Sequence, residues 1–178
     1  MMNLLTKYKY RIIKVFFIIK AILSGSKTYG SITIYGQKEF LDLTIRTLDL
    51  LKEKHPAAFT LVQRYIEFIC FSKFSVIDIK RKFCLVCSSI LSESEVEYAG
   101  GLVHEAFHCK LYYEYLQARP EEKKVPKEIA TGEEAEKRCV EYQCKVLEDL
   151  GADQTTLDYY KNVINTRYWE VPWEFQDW

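Results

Sequence analysis

Neither sign of charge is in excess in this sequence of 178 residues: Lys and Arg together number 25, and so do Asp and Glu. A balanced chain lacks the positive field that attracts nucleic acids, so we expect no nucleic-acid partner. Apolar residues make up 48% and charged residues 28%, which is typical of a folded globular protein rather than a disordered one. This length suits a single domain with a sizeable core.

The chain also lacks the cysteine density of a disulfide-stabilised protein. Its six cysteines are spread along the sequence rather than concentrated in a short module. Such a distribution is more typical of thiols in a reducing compartment. We therefore predict a cytoplasmic protein.

A long apolar run is missing as well. Residues 12–23 are apolar, but the run is too short for a transmembrane helix, and Lys14 and Lys20 interrupt it. Basic residues before it and the small residues 24–26 after it imitate a secretory signal, although Lys20 would lie inside the apolar core of that signal. We treat residues 1–26 as a separate segment that forms an arm, a helix packed on the domain, or a weak signal-like stretch. Export, or weak membrane association through residues 12–23, is the alternative to the cytoplasm.

The rest of the chain, residues 27–178, predicts one α+β domain that is mostly helical, with a small sheet before its central helix. Periodicity, capping residues and β-branched runs indicate the individual elements. They are a strand at 31–35, a helix at 40–54, a helix from Pro56 to Ile69, one or two strands within 75–90, helices at 93–118 and 132–150, a shorter helix from Asp153, and an aromatic tail at 168–178. The central helix is expected to begin at Glu93, because Ser92 and Glu95 fit a capping box.

Histidine is rare, yet two of the three histidines form the motif His104-Glu105-Ala106-Phe107-His108. Residues four apart on a helix lie one turn above each other, so both imidazoles can reach one metal ion. Glu105 can reach a water molecule on that metal and take its proton. The motif predicts a Zn²⁺ site held by His104 and His108, with Glu105 as the general base of a hydrolase.

Gly100 and Gly101 lie one turn before the motif. Each glycine inside a helix costs about 0.5–1 kcal/mol relative to alanine, so a pair indicates that something approaches closely. Either a facing helix or a substrate would need this small size.

The stretch from Ala99 to His108 resembles the active-site helix of the zincin metallopeptidases. That superfamily is similar in layout too: a small sheet, then the motif helix, then a second helix that brings a third zinc ligand. The resemblance covers roughly residues 75–151 and implies a metallopeptidase acting on peptide or protein substrates. Lys110 departs from the zincin pattern, which usually has an apolar residue there. No particular peptidase family and no oligomeric state are indicated.

A catalytic zinc with two histidines needs a third protein ligand. Leu111 stands where metzincins have a glycine, so that class is excluded. The resemblance to gluzincins instead implies a Glu on the following helix, in a Glu-x-x-small pattern that Glu136 to Cys139 matches. Glu136 shares the inward face of this helix with Val140, and we predict it as the third ligand. Glu133 is the second candidate on that face.

A structural zinc site is the main alternative. Cys84 and Cys87 precede His104 and His108 at a spacing close to that of a Cys2His2 finger, and such a domain would bind a partner without catalysis. Residues three apart on a strand face opposite sides, which argues against both thiols on one metal. A mixed site with Cys87, as in peptide deformylases, lacks the other motifs of those enzymes. Cys139 is expected to be a packing residue.

Overall fold

The computed structural model describes residues 15–166, and every structural statement below concerns them. The strands are β1 (Ser26–Tyr29), β2 (Ile32–Tyr35), β3 (Phe68–Ser72), β4 (Val76–Asp78) and β5 (Phe83–Cys87). The helices are α1 (15–24), α2 (Lys38–Lys54), α3 (Pro56–Tyr65), α4 (Glu95–Ala118), α5 (Lys127–Ala130), α6 (Glu133–Asp149) and α7 (Gln154–Val163). The aromatic tail predicted at 168–178 lies outside the described residues.

The five strands form one mixed sheet in the order β1-β2-β3-β5-β4. β1 and β2 are an antiparallel hairpin whose turn contains Gly30 at φ +59°, in the left-handed region that glycine tolerates. β2, β3 and β5 run parallel to one another, and β4 pairs with β5 in the antiparallel sense. β4 is therefore an edge strand of this sheet.

Different helices cover the two faces of the sheet. Ile69 and Cys84 belong to the main core, which they share with buried residues of α2, α3 and α4. Cys70 and Leu85 point the other way and pack with Ala21 of α1. The sheet thus separates α1 from the helices of the main core.

The central helix is α4, and its position relative to α6 is set by a glycine. A Cβ atom at Gly100 would lie 2.8 Å from Cδ2 of Leu147 on α6, so a larger residue there would force the buried side chain of Leu147 to shift. The first member of the glycine pair therefore serves helix packing. At the second, Gly101, a Cβ atom would meet nothing within 4 Å.

The predicted start of the central helix is wrong by two residues. Residues Ser88–Ser92 form a 3-10 turn, and the helix begins at Glu95 rather than Glu93. Ser94 is the N-cap: its Oγ accepts a hydrogen bond from the backbone N–H of Glu97 at 3.1 Å. The sequence Ser-Glu-Ser-Glu-Val-Glu fits a capping box in either register, and the chain uses the later one.

The prediction of one helix from Pro56 to Ile69 is also wrong. α3 ends at Tyr65, and Ile69 lies on β3. Ile69 and Cys70 are both buried although they point to opposite faces of the sheet. A strand covered on both faces has no alternation of polar and apolar residues, so its sequence looks like the continuation of an apolar helix face.

The remaining predicted elements are confirmed, including two strands within 75–90 and the helix that begins after Gly132. Gly151 ends α6 at φ +85°, and Asp153 caps α7 by accepting a hydrogen bond from the N–H of Thr156 at 2.7 Å. The class is α+β, a single, mostly helical domain with a small sheet. No helix within 15–166 is both long and apolar enough to cross a bilayer.

Candidate metal centre

The two motif histidines meet on one side of α4. Their spacing of four residues stacks the rings, and Nε2 of His104 lies 3.0 Å from Nε2 of His108. Both side chains are largely withdrawn from water: 13% of the His104 side chain and 5% of the His108 side chain are exposed. The chain's third histidine, His55, is elsewhere and caps α3 by accepting a hydrogen bond from the N–H of Ala58.

Glu136 comes to the same point from α6. Its Oε2 atom lies 3.4 Å from Nε2 of His104 and 3.4 Å from Nε2 of His108. Glu136 is buried, which is rare for a carboxylate without a charged partner. The structure therefore brings together the three side chains that were predicted as metal ligands.

The outer nitrogen of each ring is held by an oxygen atom. Nδ1 of His108 lies 2.7 Å from the backbone oxygen of Ala130 on α5, and Nδ1 of His104 lies 3.0 Å from Oε1 of Gln143 on α6. A carbonyl oxygen can only accept, so each Nδ1 carries a hydrogen and donates it. In the neutral ring, the lone pair is then on Nε2, which faces the other histidine and Glu136. Metal-bound histidines are commonly oriented by such contacts.

This tautomer leaves three electron-rich atoms facing one another with no hydrogen between them. The pKa values of His108 and Glu136 shift in the directions that favour a shared proton between these atoms. Burial by itself lowers the pKa of His108, but its hydrogen bonds with Cys139 and Glu136 outweigh this and raise the pKa well above its usual value. Burial by itself raises the pKa of Glu136, but hydrogen bonds from His104 and His108 hold it well below the usual range. A metal ion would compete with protons for these atoms, so metal affinity should weaken in acid.

Cys139 is the site residue that the sequence reasoning missed. It lies one turn after Glu136 on α6 and is fully buried. Ligand atoms of His104, His108 and Cys139 all lie within 4.8 Å of one another, so this buried cluster could hold a metal ion. Cys139 does pack with Phe107, Leu111 and Ala135, as predicted, and its thiol lies beside the two histidines as well. Its position three residues from Glu136 on an inward helix face was the available signal.

Glu133, the second candidate for the third ligand, is not at this site. It is exposed at the first position of α6 and pairs with Lys137, whose Nζ lies 2.8 Å from Oε1 of Glu133. The prediction that Glu133 shares the inward face of α6 is wrong. It is the first residue of α6, at the open end of the helix, where its side chain reaches solvent and Lys137 rather than the histidines.

Cys84 and Cys87 lie on β5 and are not part of the metal-binding group found within 15–166. Sγ of Cys87 donates to the backbone oxygen of Lys73 at 3.1 Å, and Cys84 is buried in the main core. The finger-like set and the mixed site with Cys87 therefore do not match this geometry.

The double variant Cys84→Ser and Cys87→Ser should keep its metal content. It should lose roughly 1–3 kcal/mol in the free energy of unfolding, because hydroxyls replace buried thiols. Elemental analysis of the purified protein measures the first effect, and urea denaturation measures the second. Loss of the metal from this variant would restore the finger-like alternative.

Glu105 lines a cavity of about 480 Å³ together with His104, His108 and Glu136. Gly101 lines the same cavity, and the absence of a side chain there leaves the cavity wider. Burial raises the pKa of Glu105, while the charges of His104 and His108 lower it. The carboxyl group of Glu105 thus shares a cavity with the three converging ligand atoms.

An edge of the sheet forms one wall of this cavity. Ser75, Val76 and Ile77, in and just before β4, line it. Within the described residues, β4 pairs with β5 on one side only. Its other edge has no strand partner among the described residues.

Comparison with protein-family models, with curated proteins and with solved structures gives no match to this chain.

Proposed function

We propose that this protein is a zinc-dependent hydrolase of the zincin type and that it cleaves peptide bonds. One observation carries the proposal: Nε2 of His104, Nε2 of His108 and Oε2 of Glu136 converge at 3.0–3.4 Å with each Nδ1 already donating to another oxygen. Three buried acceptor atoms repel one another unless they share a cation. Two histidines and one glutamate are a ligand set that catalytic zinc sites use.

The size of the group supports zinc. Ligand atoms at about 2.0–2.1 Å from a tetrahedral zinc ion lie about 3.3 Å from one another. The three measured distances are 3.0, 3.4 and 3.4 Å. Imidazole nitrogen and carboxylate oxygen together also suit zinc better than they suit calcium or magnesium, which prefer oxygen ligands alone.

Zinc, when bound, would supply a Lewis acid that polarises a substrate carbonyl and lowers the pKa of a water molecule. Glu105 is the proposed general base. Its carboxylate lines the same cavity as the ligands, so it can accept the proton of the attacking water and pass it to the departing amine nitrogen. Gln143 and the carbonyl of Ala130 keep the two rings oriented.

A peptide is the proposed substrate because the wall of the cavity is an edge strand. An extended peptide can pair with the outer edge of β4, and this would place its backbone across the cavity that contains Glu105. The order of elements is similar to that of zincins, with the sheet first, then α4, and then α6 with Glu136. The buried cysteines, none of which is in a disulfide, support a reducing compartment such as the cytoplasm.

Cys139 favours a second candidate function. If its thiolate joins His104, His108 and Glu136, zinc has four protein ligands and no open position. Such a closed site would be structural, and the domain would bind a partner without turning over a substrate. The two candidates differ in whether water reaches the metal.

Metal analysis tests the proposal. Purified protein should contain about one zinc ion per chain, and His104→Ala or His108→Ala should empty the site because one ligand fewer cannot hold the ion. The matched control is His55→Ala, since His55 caps α3 away from the site. The wild type should also hydrolyse a denatured protein or a peptide library. This hydrolysis should stop when a chelator is added and resume when zinc is restored.

Full metal content in both motif variants would contradict the zinc site itself. Stoichiometric zinc without any hydrolysis would instead favour the closed structural site.

A further inference from the structure

The outer side of α1 is the largest concentration of exposed apolar residues in the described part of the chain. The other large exposed apolar residues there, Leu91, Ile129 and Tyr159, lie singly on separate elements. We call the exposed residues of α1 the α1 apolar face. They are Val15, Phe16, Ile19, Ile22 and Leu23, and each is between 47% and 82% exposed.

The inner side of α1 is anchored to the sheet. Ala21 is 3% exposed and packs with Cys70 and Leu85. The ring of Phe17 meets that of Phe74 edge to face, with 6.0 Å between centroids. α1 is therefore apolar on both sides, and within residues 15–166 the protein covers only one of them. A helix that is apolar all round is normally buried by protein or by lipid.

The charged residues of α1 and of the sequence next to it favour lipid over protein as the cover of the outer side of α1. No acidic residue precedes Glu39, although the whole chain has a net charge of zero. Lys20 is exposed on α1 itself. In the sequence, Lys7, Lys9, Arg11 and Lys14 precede α1, whereas Lys27 and Lys38, which follow it, pair with Asp42. A second copy of this chain would bring like charges together, whereas an anionic surface would attract them.

We propose that α1 docks on the surface of an anionic lipid bilayer, lying in the plane of the interface with the α1 apolar face against the acyl chains. An apolar helix face combined with basic residues is the pattern of helices that bind in this way. α1 and the candidate metal centre lie on opposite faces of the sheet, since Ala21 packs with Leu85 while Cys84 faces the core that contains α4. The cavity therefore stays open to water when α1 is docked.

Flotation of the full chain with lipid vesicles tests this. The protein should bind vesicles of phosphatidylcholine containing about 30% phosphatidylserine more strongly than vesicles of phosphatidylcholine alone, and added salt should weaken the binding. Ile19→Ser with Leu23→Ser should reduce binding at least about tenfold, because two exposed apolar side chains leave the interface. Lys20→Gln should reduce binding about fivefold on the anionic vesicles only. Leu91→Ser is the matched control, since it removes an exposed leucine elsewhere.

Failure of the wild type to bind either vesicle would overturn the proposal, as would equal binding by the double variant. A wild type that elutes as a dimer while the double variant elutes as a monomer, with no vesicle binding, would assign the α1 apolar face to a second copy. Vesicle binding should be the same with and without a chelator, so its outcome is separate from that of the proposed zinc site.

Discussion

Glu105→Gln should retain zinc and lower the rate of peptide hydrolysis by a factor of about 10²–10⁴, which is the usual contribution of a general base. Glutamine has nearly the same shape as glutamate and fills the same place in the cavity, but it cannot accept the proton of the attacking water. The carboxylate of Glu105 is not one of the three groups that converge on the proposed metal position, so its replacement should not weaken zinc binding. Zinc content and turnover, measured on one preparation, separate the two effects.

A matched control is available on the same helix. Glu114 is exposed and lies near Lys110, so Glu114→Gln removes a carboxylate from α4 without touching the cavity. This control should have wild-type turnover. If Glu105→Gln instead cuts every substrate as fast as the wild type, Glu105 is not the base and the catalytic proposal fails.

Glu136→Ala should weaken zinc binding by more than about a hundredfold. Loss of a group that only orients a ligand already costs roughly 10- to 100-fold in affinity, and Glu136 contacts both histidine nitrogens itself. The negative charge of Glu136 would also balance the positive charge of a zinc ion at a buried site. Competition with a chromophoric zinc chelator measures the affinity, and Glu133→Ala is the control because Glu133 is exposed on the same helix.

Cys139→Ser distinguishes an open site from a closed one. In an open site with Glu136 as the third ligand, this variant should bind zinc within about tenfold of the wild type and keep its hydrolysis, because the thiol is only a neighbour. In a closed site it should lose affinity as strongly as Glu136→Ala. Replacement of zinc by Co²⁺ gives a second readout, since a cobalt–thiolate bond adds a charge-transfer band in the near ultraviolet that a site of histidine and carboxylate lacks. Undiminished affinity in Glu136→Ala would show that the third ligand lies elsewhere.

The parts of the site that could be predicted are those governed by helix periodicity. His104 and His108 lie four apart on one helix, and their contact follows from that spacing alone. Glu136 could be predicted because it precedes buried Val140 by one turn on an amphipathic helix. The prediction for Glu133 failed because it is seven residues before Val140 at the very start of α6, where solvent and Lys137 are also within reach.

Other parts of the site depend on how separate helices and strands pack together, and the periodicity of the sequence carries no information about that packing. Cys139 lies on an inward helix face, which is equally compatible with packing against apolar side chains and with contact to a histidine. Only the way α4 approaches α6 places it beside the histidines. The oxygen that orients His108 is a backbone atom of Ala130, so no side chain indicates it. For the same reason the first residues of β3, up to Ile69, were predicted as helix: the two buried faces of this strand depend on α1 lying behind the sheet.

The pairing of His108 on α4 with Glu136 on α6 has a topological consequence. A bound ion would tie together two points of the chain that are separated by α5 and an exposed charged stretch around residues 121–124, and so would close that part of the chain into a ring. Such a ring, closed by the ion in the folded state, acts like a removable cross-link. The entropic cost of closing it depends only weakly on its size, rising by about 0.6 kcal/mol for each doubling of its length. The exposed stretch around residues 121–124 is therefore free to grow, shrink or change its charges over evolutionary time, while α4, α6 and α5, whose Ala130 oxygen holds His108, are not.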